Sequence, residues 1–191
     1  MGFALIIATV LGMAAGIAMW RSPTASSLAK AVAGVFLNVP CFVLFGLLVP
    51  LLGFGRQVTA AVLLGYSLLP IVRSTITGLQ GVRPDVVQAA QAVGMRRSLI
   101  VVKIQLPLAW PAILMGIRFA AQLTIAIAAI TAYIAGPVHG EGIFDGPSRV
   151  SAANVLNQAL VGICGIAALS ALNEFAFVVL RRFTTPRGLR V

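Results

Sequence analysis

The sequence predicts an all-α, polytopic membrane protein, and three observations carry that prediction. Of its 191 residues, 60% are hydrophobic and only 9% are charged, with a mean hydropathy of +1.03. A water-soluble domain of this size carries charge on about a quarter of its residues, because its surface must be hydrated. The apolar residues also gather into runs comparable with the ~20 residues that a helix needs to cross hydrocarbon. Finally, the 14 basic and 4 acidic side chains, net +10, fall almost entirely between those runs. In a soluble chain such an excess points to nucleic acid. In a membrane chain it reports orientation, since Lys and Arg stay on the cytoplasmic side, and no nucleic-acid partner is expected.

Cutting the chain at its charges and turn residues gives a single transmembrane domain, 1–191, with spans at about 3–20, 31–53, 58–72, 105–136 and 154–180. Only Met1 and Gly2 precede the first apolar run, so it has no basic leader and reads as a retained span rather than a cleaved signal peptide. Within it, Gly12-x-x-x-Gly16 is a small-residue pattern that lets helices approach closely. The second span holds Asn38, Pro40 and Pro50, and the third is short, its inner end set by Arg73. The fourth is too long for one straight crossing, and Pro107 and Pro111 are expected to break its first turns at the membrane interface. The fifth ends at Arg181.

The charges orient these spans. Arg21, Lys30, Arg73, Arg83, Arg96, Arg97, Lys103, Arg181, Arg182, Arg187 and Arg190 share one side, eleven in all, against Arg56 and Arg149 on the other. The positive-inside rule then places the N-terminus outside and the C-terminus in the cytoplasm of a prokaryotic plasma membrane, in contact with its lipids. Cys41 and Cys164 lie in apolar runs and read as small hydrophobes, with no disulfide. His139 is the only histidine; with Glu141 and Asp145 it falls in the external loop, which reads as a docking surface rather than a metal site.

The stretch 74–104 is the one sizeable polar segment, and it has the marks of a folded element. Asp85 and Gln88 have the D-x-x-Q spacing of a capping box, and Val86, Ala89, Ala90 and Val93 follow at helical intervals. Gly94 is placed to end that helix with a positive φ, and Arg96 to Lys103 start a second, basic one.

Gln88-Ala89-Ala90-x-x-x-Gly94, then Ile104-x-Leu106-Pro107 after nine residues, resembles the EAA loop of ABC importer permeases, with Gln where that family more often has Glu. The resemblance implies a type I permease fold. It also implies a coupling role for Asp85, Gln88, Ala89, Ala90, Gly94, Ile104, Leu106 and Pro107, with the short helix docking into a cytoplasmic ATPase. Further runs are similar to permeases for glycine betaine, carnitine and choline: Asn38-Val39-Pro40, Gly46 to Gly55, Tyr66 to Arg73, Thr77-Gly78 and Thr185 to Leu189. They depart from that pattern at Gly136 to Gly142.

The implied partners are cytoplasmic ABC ATPase subunits, a second copy or a paralogous permease, and an extracytoplasmic binding protein. The chain itself is expected to bind no cofactor and to be no enzyme. Lys30 and Lys103 lack the preceding Gly-rich run and following Ser or Thr of a phosphate loop, so ATP and Mg belong to the partner ATPase.

Polar or helix-distorting residues inside spans face protein or water, not lipid. Asn38, Pro40, Tyr66, Ser67 and Gln122 are therefore candidates to line a path, with helix packing as the alternative role. Arg118 and Glu174 fall at membrane depth and are candidates for a mutual ion pair, against separate snorkelling to the interface. Import of an amino acid such as methionine stays open as an alternative within this architecture. An ion-coupled secondary transporter is the alternative from another class; it calls for several acidic residues deep in the spans, and only Glu174 qualifies.

Overall fold

The computed structural model describes residues 2–53, 56–135 and 152–184, and each regular element among them is helical. In chain order these are α1 (Gly2–Met19), α2 (Pro23–Asn38), α3 (Cys41–Leu52), α4 (Arg56–Gln80), α5 (Pro84–Ala92) and α6 (Arg97–Ile100). A π-helical turn (Val101–Gln105), α7 (Leu106–Ala135) and α8 (Ala152–Thr184) follow. The external loop with His139, Glu141 and Asp145 lies outside the described residues, as does the Thr185 to Leu189 run.

The apolar segments differ from their predicted bounds in three places, each for a local reason. The second, 31–53, is two helices that meet at 94°. Pro40 has no N–H to continue α2 and holds Val39 extended, at φ −70° and ψ 126°. The third runs on to Gln80, which puts Arg73 inside α4 and not in the loop. A charge ends an apolar run but does not end a helix. In the fourth, Pro107 and Pro111 leave the helix unbroken, and one continuous apolar span runs from Arg97 to Ala129. The π turn just before Pro107, closed by the Leu106 N–H to the Val101 carbonyl, holds one extra residue and so absorbs a ring that cannot donate.

The core is a three-helix unit of α1, α4 and α7. Ala8 from α1, Ile71 and Leu79 from α4, and Ile113, Ile117 and Ala120 from α7 are buried together. Small residues set the distances: a Cβ on Gly12 would stand 2.9 Å from Ile71 Cγ2, and one on Gly16 2.6 Å from Thr75 Cβ. Gly78 meets α7 in the same way, at Ala109 and Ala112. Buried hydroxyls are satisfied within their own helices. Thr75 donates to the Ile71 carbonyl at 2.7 Å and Thr124 to that of Ala120 at 2.8 Å. The bent α2–α3 pair joins the other half of α4 through Phe45, Val58, Val62 and Tyr66. α8 lies outermost, with no residue of its window Ile163–Arg182 buried.

Candidate functional site

The polar loop folds as a short helix closed by a left-handed turn. Pro84, with φ already helical, occupies the first position of α5, so Arg83 and not Asp85 is the N-cap. The expected capping box is therefore not formed: Asp85 sits in the first turn, and its carboxylate accepts from Arg83 Nη2 at 2.6 Å on the open surface. At the other end Gly94 takes φ +79°, its N–H donates to the Gln91 carbonyl at 2.9 Å, and the Met95 N–H donates to that of Ala90 at 3.2 Å. This pair of bonds is a Schellman closure, which satisfies the last carbonyls and turns the chain toward α6.

Only Ala90 of α5 is buried; Asp85, Gln88, Ala89, Ala92 and Val93 are exposed, Val93 to 77%. The helix thus offers a mostly uncharged, small-residue face to whatever lies beneath it. Ile104, Leu106 and Pro107 have a different place. They lie on the π turn and the start of α7, where Ile100, Val101 and Gln105 are buried and Leu106 packs against the main core. The eight residues of the signature therefore divide into an exposed helix with its turn and a set that anchors this helix to α7.

Among the groups in the spans, Arg118 of α7 meets Glu174 of α8. Arg118 Nε donates to Glu174 Oε2 at 3.0 Å, a second bond joins Nη2 to Oε1, and Gln122 Nε2 donates to Oε2 at 3.1 Å. Both charged side chains are about a third exposed, at 35% and 36%. Gln122 thus completes the carboxylate's partners rather than standing alone.

Tyr66 and Ser67 are buried and hold helices together. The Tyr66 hydroxyl donates to the Val39 carbonyl at the break between α2 and α3, and its ring lies 5.3 Å from that of Phe36. Ser67 donates to the Leu63 carbonyl at 2.6 Å and meets the Thr124 hydroxyl of α7 at 2.8 Å. Both side chains thus contact neighbouring helices. Asn38 and Pro40 are exposed at the break, where Asn38 Nδ2 donates to the Gly34 carbonyl at 2.8 Å.

Sequence reasoning passed over Gln80, which ends α4 and gathers three elements. Its Nε2 donates to Ser26 Oγ at 3.1 Å and to the Trp20 carbonyl at 3.3 Å, and its Oε1 accepts from Lys30 at 3.0 Å. The available signal was a lone amide between Leu79 and Gly81 at the end of a long apolar run.

This arrangement of an exposed short helix, a glycine turn and an unbroken helix leading from it into the spans can be set beside known proteins. The family model described as "Binding-protein-dependent transport system inner membrane component" matches residues 8–185. The chain belongs to that family. As an inner membrane component it is a multi-pass membrane protein, as its apolar helices require.

This inner membrane component is 29% identical over 187 residues to the carnitine transport permease protein OpuCB of Listeria monocytogenes, covering 98% of this chain and 84% of that protein. It is 26% identical over the same length, with the same coverage, to the choline transport system permease protein OpuBB of Bacillus subtilis. It is 30% identical to the glycine betaine/proline betaine permease protein ProW of Salmonella typhimurium, over 98% of this chain and 52% of that protein. In fold it matches a chain of the MetNI methionine ABC transporter in inward-facing conformations, with a TM-score of 0.76 and 18% identity over 96% of this chain and 92% of that one. The all-α architecture is that of the type I importer permeases, as the loop signature implied.

Proposed function

We propose that the chain is the membrane-spanning permease subunit of an ATP-driven importer for glycine betaine, choline, carnitine or a related quaternary ammonium solute. The observation that carries the coupling part is α5: a short, exposed helix closed at Gly94 and followed by α6, which continues through the π turn into α7 without a break. Such an element transmits displacement of a docked protein directly into the spans. ATP and Mg are held by separate cytoplasmic ATPase subunits. A second permease, identical or paralogous, completes the path, and an external binding protein delivers the solute. The substrate class is supported by the relatives, which are named for carnitine, choline and glycine betaine.

The loop and the C-terminus lie in the cytoplasm and the N-terminus outside. With Arg73 withdrawn into α4, ten basic residues still flank the cytoplasmic ends against two outside. Closure of the ATPases carries α5 of each permease with it and converts the spans between inward-open and outward-open forms.

The test is uptake of radiolabelled glycine betaine, choline and carnitine by membranes holding the chain with the ATPase, binding protein and any second permease encoded beside it. ATP-dependent uptake of at least one is expected, and Gly94→Asp is expected to abolish it together with ATPase association. Uptake of methionine instead would refute the substrate class. Uptake that persists without the ATPase would refute the coupling assignment.

A further inference from the structure

Among the described residues, α4 and α7 share one face that neither α1 nor α8 lines. α1 packs along Leu68, Ile71, Val72 and Thr75 of α4, while α8 is tied to α7 at Arg118. On the remaining face a cleft of about 480 Å³ opens beside Leu37 of α2, lined on α4 by Arg73, Ser74 and Thr77 and on α7 by Met115 and Phe119. Its volume falls within the ~300–1,000 Å³ of small-molecule sites.

Among the described residues the charge in this cleft is unmatched. Arg73 lies about 10 Å inside the end of α4 at Gln80, by the rise of 1.5 Å per residue. Ser74 faces Gly116 across the α4–α7 contact, so Arg73 and Arg118 lie at similar depth on different sides of the helix pair. Arg118 has Glu174, and Asp85 is held by Arg83. Among the described residues no carboxylate meets Arg73. A guanidinium at membrane depth is costly without an anion or water, and its planar fork fits a carboxylate in bidentate fashion.

The neighbours put a hydroxyl on one wall and an aromatic ring on the other. Thr77 follows Arg73 by four residues, on the same face of α4, and among the described residues its hydroxyl makes no hydrogen bond. Ser74, by contrast, already donates to the Pro70 carbonyl at 2.8 Å. On the opposite wall Phe119 is 49% exposed and Met115 58%. An aromatic face is the chemistry that attracts a quaternary ammonium.

We infer that this cleft is a subsite for the transported solute, in which Arg73 and Thr77 hold the carboxylate of a zwitterionic quaternary ammonium compound and Phe119 faces its cationic end. The inference rests on the osmoprotectant reading above and narrows it. Solutes that carry a carboxylate, such as glycine betaine or carnitine, are held here, and choline, which has none, is not.

The experiment is equilibrium retention of radiolabelled glycine betaine and of choline on the purified permease–ATPase complex in nanodiscs, without the binding protein. Glycine betaine is expected to be retained more tightly than choline. Arg73→Gln is expected to weaken that retention by about tenfold to a hundredfold, the loss typical of a hydrogen bond to a charged group. Arg73→Lys, which keeps the charge without the fork, is expected to weaken it less and serves as the second variant should the first fail to assemble. Equal retention of both solutes, no retention of either, or glycine betaine retention indifferent to Arg73→Gln each overturns the inference. So does Arg73-dependent co-purification of an anionic phospholipid that glycine betaine does not displace, because the anion would then be a lipid phosphate. Every one of those results leaves ATP-driven uptake by the full assembly untouched, so the failure of this subsite is distinguishable from failure of the proposed function.

Discussion

Gly116 lies so close to Ser74 that a Cβ there would stand 1.7 Å from the serine Oγ, 2.5 Å from its Cβ and 3.1 Å from the Pro70 carbonyl oxygen. This is the tightest of the glycine approaches between α4 and α7, and no rotamer of Ser74 relieves the clash with its own Cβ. Gly116→Ala is therefore expected to destabilise the fold by about 1–3 kcal/mol through overpacking. Thermal unfolding in detergent checks it. Gly34→Ala, with nothing within 4 Å of the added Cβ, is the control and should be neutral or slightly stabilising.

Tyr66→Phe removes the hydroxyl that satisfies the Val39 carbonyl but keeps the ring against Phe36. A carbonyl left without its partner costs about 1–3 kcal/mol when buried. The expected outcome is a lower unfolding temperature with faster amide exchange confined to about residues 36–45, read by exchange mass spectrometry. Uniformly faster exchange would mean that Tyr66 supports the whole core and not the helix break.

The Arg118–Glu174 pair predicts non-additive behaviour. Removing either partner leaves a charge at membrane depth, so Glu174→Ala and Arg118→Ala should each lower the unfolding temperature, while the double variant should lose less than their sum. The swapped variant, Arg118→Glu with Glu174→Arg, should recover part of the loss. A swap no better than the single variants would show that each charge acts by itself.

Gly94 separates backbone need from side-chain need. At φ +79° a β-branched residue is strained by about 1–2 kcal/mol, whereas Asn tolerates the left-handed region. Gly94→Val should disrupt association with the ATPase, and Gly94→Asn should retain most of it, measured by co-purification. No neighbour lies within 4 Å of a Cβ at this position, so a difference between the two reports conformation and not a clash.

Orientation is open to direct measurement. Val93, 77% exposed at the end of α5, is a suitable labelling position once Cys41 and Cys164 are replaced by Ser. Val93→Cys in that background should react with a membrane-impermeant maleimide in inside-out vesicles and not in right-side-out ones. The reverse pattern would invert the proposed topology.

The all-α membrane architecture and the α5–Gly94 element were legible in the sequence because both rest on local signals: long apolar runs, a helical spacing and a glycine at the closing position. What escaped depends on the chain's own geometry across distance or on small backbone adjustments. Pro107 reads as a breaker because the π turn before it leaves no sign in the sequence, and Arg73 reads as a loop residue because its charge ends the apolar run while the helical hydrogen bonding continues to Gln80. Gln80 joins positions 54 and 60 residues away, and the Ser67–Thr124 bond spans 57, separations that no local pattern encodes. The Arg118–Glu174 pairing was an exception, since scarcity left few choices: the chain has only four acidic residues.

The unbroken helix from Arg97 through the π turn to Ala135 is a rod of about 57 Å, and the glycine contact at Gly116 gives it a fulcrum. The arm on the α5 side, from Arg97 to Gly116, is about 28 Å, and the arm beyond it, from Gly116 to Ala135, is about as long. A lever with arms of equal length moves its far end about as far as its near end, and in the opposite direction. Under the proposed coupling role, a push delivered at one membrane face arrives at the other reversed in sign and about equal in size, which is the relation that closing one gate while opening the other demands.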